Sequence, residues 1–171
     1  LPISQIVHCE DKIADDAKPS AALRQSKNSS MRKAIEAVHE GRAVAAVSGG
    51  KVFVTDYVRS AGDSKPAPTM RNDLQGKERV LCLDAANGDE LWKHEYECHY
   101  TISYPAGPRC TPTVAGGKVY ALGAMGDLFC LDSETGAVLW SKNLPKEYKA
   151  PVPLWGFAGN PLVFENLLIY T

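Results

Sequence analysis

The sequence predicts an all-β fold: a partial β-propeller of four-stranded antiparallel blades, preceded by a short helical segment. Two observations carry this. An eleven-residue run is spelled twice, CLDAANGDELW from Cys82 to Trp92 and CLDSETGAVLW from Cys130 to Trp140, so that Cys, Asp, Gly and Trp recur 48 positions apart. Each copy also sits among short β-prone runs divided by Gly-rich or Asp-rich turns, and a period of about 40–50 residues with four strands per unit is the pattern of a propeller blade. A β-sandwich would need no register-true repeat.

Residues 1–43 do not match the repeat and read as an N-terminal extension. Within it, SSMRKAIEAVHEGR sets Met31, Ile35 and Val38 on one helical face, with Ser30 as N-cap and Gly41 as stop, which predicts one short amphipathic helix. Asn28-Ser29-Ser30 fits an N-glycosylation triplet, a pattern common by chance.

The first blade spans 44–96, with a long insertion at 59–78. Its GGKVFV (Gly49 to Val54) returns as GGKVYA (Gly116 to Ala121) in the second blade, 110–143. Four strands are expected there: Cys110–Val114, Lys118–Ala124, Asp127–Asp132 and Ala137–Asn143. A third blade starts at 160–171, where NPLVFENLLI loosely repeats TPTVAGGKVY. About two and a half blades are thus present, whereas rings typically close with about four to eight. The expectation is a piece of a longer polypeptide, or a ring completed by other chains.

The repeated residues have separate physical tasks. Asp84 and Asp132 each close a third strand, where a short carboxylate accepts from backbone N–H groups of the following turn. Gly88 and Gly136 supply a backbone angle that a side chain resists. Trp92 and Trp140 offer a broad apolar face to bury against the next blade, with the indole N–H reaching a carbonyl.

This Asp-x-x-x-Gly-x-x-x-Trp pattern, preceded by CLD, resembles the tryptophan-docking repeat of PQQ-type (quinoprotein-like) β-propellers over roughly residues 44–171. That family holds quinone-dependent alcohol dehydrogenases and also non-enzymatic members, such as the lipoprotein of the outer-membrane-protein assembly machinery. The chain is closer to the second kind. The dehydrogenases tend to show adjacent cysteines and need calcium held by carboxylate and amide oxygens; here no Cys-Cys occurs, and no acidic cluster has calcium-binding spacing.

Composition removes other classes. Nineteen basic against twenty acidic residues leave no basic footprint for nucleic acid. No apolar run approaches the roughly 20 residues of a spanning helix. Five cysteines is an odd count, and Cys82 and Cys130, at matched places in apolar runs, read as buried strand residues. A Cys98–Cys110 disulfide is not expected, because the chain between them crosses from the outer strand of one blade to the inner strand of the next. No Cys-x-x-Cys, His-Glu-x-x-His or P-loop occurs.

Strand parity points to one working end. The turns Ala115–Gly117 and Ser133–Gly136 are short, while the first unit carries 19 extra residues between Val58 and Arg79, and the crossings Glu97–Arg109 and Leu144–Gly159 are long. Long loops on a rigid scaffold are where binding usually resides. They hold the candidate ligand or partner residues His99, Tyr100, Tyr104, Arg109, Tyr148, Trp155 and Phe157. The alternative is that these aromatics merely pack the crossings over the blade ends.

The expected function is a non-catalytic propeller domain that binds or scaffolds through this end, with no catalytic residue, cofactor or metal. Its partner would be another protein or the remaining blades of the same propeller. The resemblance implies a periplasmic or otherwise extracytoplasmic location. The alternative is a fragment of a PQQ-dependent alcohol dehydrogenase-type oxidoreductase, with PQQ and calcium as cofactors.

Overall fold

The computed structural model describes residues 44–63 and 69–170. The expected helix at Ser30–Gly41 and the Asn28 triplet lie outside them.

The described residues form two four-stranded antiparallel sheets and a two-stranded one, each in sequence order. Blade 1 contains β1 (Val44–Ser48), β2 (Lys51–Ala61), β3 (Gln75–Asp84) and β4 (Glu90–Glu97). Blade 2 contains β5 (Thr113–Ala115), β6 (Lys118–Leu122), β7 (Asp127–Asp132) and β8 (Val138–Asn143). A single helical turn, α1 (Leu144–Tyr148), follows, then the hairpin β9 (Leu162–Phe164) and β10 (Leu167–Ile169). Asn143 caps α1 by accepting from Lys146 N, and Pro145 suits the first turn, where its missing N–H is not needed.

The two blades share their register down to an irregularity. Cys82 faces Trp92 and Cys130 faces Trp140, and in each sheet the ladder slips immediately after the cysteine. The Asp turns also match. Asp84 Oδ1 accepts from Ala86 N and Asn87 N, while Asp132 Oδ1 accepts from Glu134 N, Thr135 N and Thr135 Oγ1. The N–H groups of Gly88 and Gly136 then close each turn onto the aspartate carbonyl at 2.9 Å.

One face of blade 1 is a stack of cross-strand rows. Phe53, Cys82 and Trp92 form the first, Thr55, Val80 and His94 the second, Tyr57, Glu78 and Tyr96 the third. The first row and Val80 of the second pack with Val119, Ala121 and Leu131 of blade 2 into one apolar core. Trp92, 9% exposed, completes it by donating from Nε1 to Ser133 O across the blades at 3.1 Å.

Three expectations change. The first-blade insertion is narrower than 59–78, because β2 and β3 keep pairing out to Ala61 and Gln75 across a bulge. Cys110 belongs to the crossing, with β5 starting at Thr113, and is enclosed by Leu122, Leu128, Leu144 and Phe157. Trp140 is 38% exposed on the outer strand β8, which is exposed from Val138 to Lys142: the described residues offer it no counterpart to the turn that receives Trp92.

Candidate functional site

All the long connections meet at one end and interlock through their backbones. Leu74 and Tyr100 exchange both hydrogen bonds, Asn72 N donates to Ile102 O at 3.0 Å, and Ser103 N donates to Leu154 O at 2.7 Å. Phe157 N reaches Ala124 O in the β6–β7 turn at 2.9 Å. The loops therefore form a packed cap, with Tyr57, Leu74, Cys98, Tyr100, Ile102 and Ala124 as its core.

Two arginines fasten this cap. Arg71 donates from Nη1 to Thr101 O at 2.7 Å and from Nη2 to Val152 O at 3.0 Å. Arg109 donates from Nη2 to Ser103 O at 3.1 Å and also to Tyr104 O, and from Nη1 to Trp155 O. A guanidinium suits this task, since its planar fork serves several fixed acceptors while staying charged. Burial draws Arg109 below its ordinary pKa.

The structure thus divides the seven sequence candidates. Tyr104 and Trp155 are 40% and 56% exposed, and Arg109 ties their two carbonyls together. Tyr104 sits in the left-handed region at φ 50, which an L side chain adopts at a cost, and the arginine holds its carbonyl there. His99 is exposed and pairs through Nε2 with Asp73 Oδ1 at 2.7 Å.

Tyr148 is exposed but lines a different groove, with Leu128, Trp140, Leu168 and Tyr170. Tyr100 and Phe157 are both buried, Tyr100 in the cap core and Phe157 in the neighbouring cluster with Cys110, Leu122, Leu128 and Leu144, which leaves little of either for a ligand to touch. Arg109 directs three of its five donors to carbonyls of its own chain.

Sequence reasoning passed over Met70 and Leu154, both exposed, and Arg71, which fastens the loop carrying Leu154. A signal existed for the first and last: Met70-Arg71 lies in the insertion, which attracted attention only for its length.

Chemically, the end is a rigid display of aromatic and aliphatic groups. Among the described residues no group of three or more His, Cys, Asp or Glu side chains is placed to hold a metal ion. The four described cysteines are free and buried. Burial pushes the thiols up, Cys82 to about 11 and Cys110 to about 12, which leaves them protonated and poorly nucleophilic.

The model of the family described as outer membrane protein assembly factor BamB matches residues 76–170, more than half of the chain. The chain belongs to that family. The match runs from β3 to β10 and includes both crossings, so most of the cap lies within it. Among solved structures, BamB from Moraxella catarrhalis is similar, with a TM-score of 0.43 and 20% identity, covering 75% of this chain and 42% of that one.

This BamB-family chain has a second likeness. A model described as fatty acid synthesis protein matches residues 3–55. The phosphate acyltransferase of Coxiella burnetii (strain RSA 493 / Nine Mile phase I) is 52% identical over 100 residues, covering 54% of this chain and 29% of its own. That of Legionella pneumophila (strain Paris) is 41% identical over 99 residues, with the same coverage of both chains. That of Erythrobacter litoralis (strain HTCC2594) is 51% identical over 47 residues, or 28% of this chain and 13% of its own. The chain thus spans under a third of the length of these curated relatives.

Proposed function

We propose that this chain is a non-catalytic blade module that presents its long-loop end to a protein partner in an extracytoplasmic compartment. The observation that carries this is the pairing of Tyr104 and Trp155: exposed aromatics on two separate crossings whose backbones Arg109 and the Ser103–Leu154 hydrogen bond hold together. Tyrosine and tryptophan dominate interface energetics when they are pre-ordered, because little conformational freedom is then lost on binding. The family's description, an outer membrane protein assembly factor, supports a protein partner and a location outside the cytoplasm. No cofactor is needed for such a role.

Photo-crosslinking groups placed at Tyr104 and Trp155 in the host cell should trap one and the same partner. That adduct should vanish in the Tyr104→Ala/Trp155→Ala double variant of a probe at Met70. A probe at Lys118, in the short turn of the opposite end, serves as reference. Adducts as abundant from Lys118 as from Tyr104 overturn the proposal.

A second reading concerns residues 3–55. The match of this segment to a fatty acid synthesis protein, beside the chain's 52% identity over 100 residues to the Coxiella protein, supports an acyl-transfer role for the polypeptide carrying it. Incubation with an acyl thioester and inorganic phosphate, followed by hydroxylamine trapping, should yield a hydroxamate; its absence removes this reading.

A further inference from the structure

Glu78 is the most deeply buried charged residue among those described, at 1% exposure. It sits on β3 in phase with Gly76, Val80 and Cys82, so its carboxyl points into the junction between blades instead of to solvent. Three segments converge on it. Tyr96 OH from β4 is hydrogen-bonded with Oε2, Tyr100 OH from the first crossing donates to Oε1, and Ala124 N from the β6–β7 turn donates to Oε1 at 2.9 Å. Gly123 makes room for it: a Cβ there would lie 2.0 Å from Oε2.

Among the described residues no cation balances this carboxyl. The groups facing it are Tyr57 from β2, Tyr96 from β4, Cys98, Tyr100 and Cys110 from the crossing, and Asp127 from blade 2, whose charge has the same sign. Arg79, its neighbour in sequence, is engaged by Asp56. A charge removed from water with only neutral donors around it is costly, and the usual relief is protonation. Burial accordingly pushes Glu78 above the usual carboxylate range, against the pull of its three hydrogen bonds.

We propose that Glu78, Tyr96, Tyr100 and Ala124 N form a proton-operated latch. The neutral carboxyl fastens β3 to the first crossing and to the β6–β7 turn, and loss of its proton loosens that junction. The chemistry balances simply: with the proton on Oε2 the carboxyl donates to the Tyr96 oxygen, while Oε1 still accepts from Tyr100 and Ala124. On ionisation the proton leaves to solvent and the Tyr96 hydroxyl turns to donate, beside Tyr100 and Ala124 N, to a buried anion.

Because the folded-state pKa is raised, the stabilising contribution is complete below the ordinary pKa of about 4.3 and declines as pH rises through the folded value. The latch is independent of whether Tyr104 and Trp155 bind anything.

The test follows the Glu78 side-chain carboxyl by carbon-13 NMR between pH 3.5 and 8, beside exchange of the Ala124 amide. Glu78 should titrate above the usual range. Exchange at Ala124, corrected for its intrinsic rate, should quicken about tenfold for each pH unit of lost protonation. Glu78→Gln, which keeps the shape without the proton, should abolish that pH dependence, and Tyr96→Phe, which removes a donor to the anion, should move the titration to higher pH. A Glu78 midpoint at or below about 4.3, or an Ala124 profile unchanged by Glu78→Gln, overturns the latch; should Glu78→Gln not fold, the wild-type titration and Tyr96→Phe decide it.

Discussion

Trp92 lies directly against Gly136: a Cβ added to that glycine would sit 2.7 Å from the indole atoms Cδ2 and Cε3. The same glycine has φ 71, where an L side chain is strained. Blade 2 thus keeps a bare backbone turn where the tryptophan of blade 1 rests.

Gly136→Ala should therefore cost about 2–5 kcal/mol, combining the left-handed backbone and the overpacking terms. Gly116→Ala is the control, since it has φ 57 but nothing within 4 Å, and should lose only about 1–2 kcal/mol. Urea unfolding of both variants checks this. Equal losses would mean that contact with Trp92 contributes nothing.

The two repeat tryptophans should differ in effect. Trp92→Ala removes a buried ring and its bond to Ser133 and should cost about 3–5 kcal/mol. Trp140→Ala, on an exposed strand, should lose less than half as much. Urea midpoints and slopes of the two variants test this, and a larger loss at Trp140 would contradict the assignment.

His94 is half-buried, its Nε2 has no partner, and burial lowers its pKa from the ordinary value. A lowered folded pKa means that the unfolded chain takes up the proton first. Stability from this site is full above about pH 6.5 and declines as pH falls. The wild-type stability relative to His94→Phe should thus decrease from pH 7 to pH 5 in denaturant titrations. A difference independent of pH would show that His94 does not titrate as described.

The enclosed thiols should be protected. Cys82, Cys98, Cys110 and Cys130 should resist iodoacetamide at pH 8 in the native protein and react after unfolding, as mapped by peptide mass spectrometry. Rapid native alkylation at Cys98 or Cys110 would show that the cap opens readily.

Arg109→Lys keeps the charge but cannot serve three carbonyls on two crossings. It should cost about 1.5–3 kcal/mol, in the range for hydrogen bonds to a charged group. Faster amide exchange at Ser103 is the local readout, since that amide donates to Leu154 O beside the lost contacts. Unchanged exchange would mean that Arg109 does not fasten the cap.

The strands and the Asp–Gly turns were legible because the repeat states them twice: the shared slip after Cys82 and Cys130 follows from the shared spelling. The cap was less legible. Tyr100 and Tyr104 lie four residues apart in one aromatic crossing, and only the pairing of Leu74 with Tyr100 drives one inward and leaves the other in water. Nor does sequence say that Arg109 spends its donors on carbonyls up to 46 residues away. Glu78 did leave a trace, since alternation through Val80 and Cys82 sets it on the buried face, but an acidic residue between Lys77 and Arg79 is easily read as part of a solvated run.

The β1–β2 hairpin lies where the two likenesses meet. β1 and the start of β2 fall inside the stretch that resembles a fatty acid synthesis protein, whereas β3 and β4 fall in the BamB match, yet all four close one sheet. Main-chain pairing asks of an inner strand only an extended backbone and a tight reversal, which Gly49 and Gly50 supply at φ 57 and 74. The boundary between the two likenesses therefore runs through a hydrogen-bonded ladder, β2 being paired to β1 on one side and to β3 on the other.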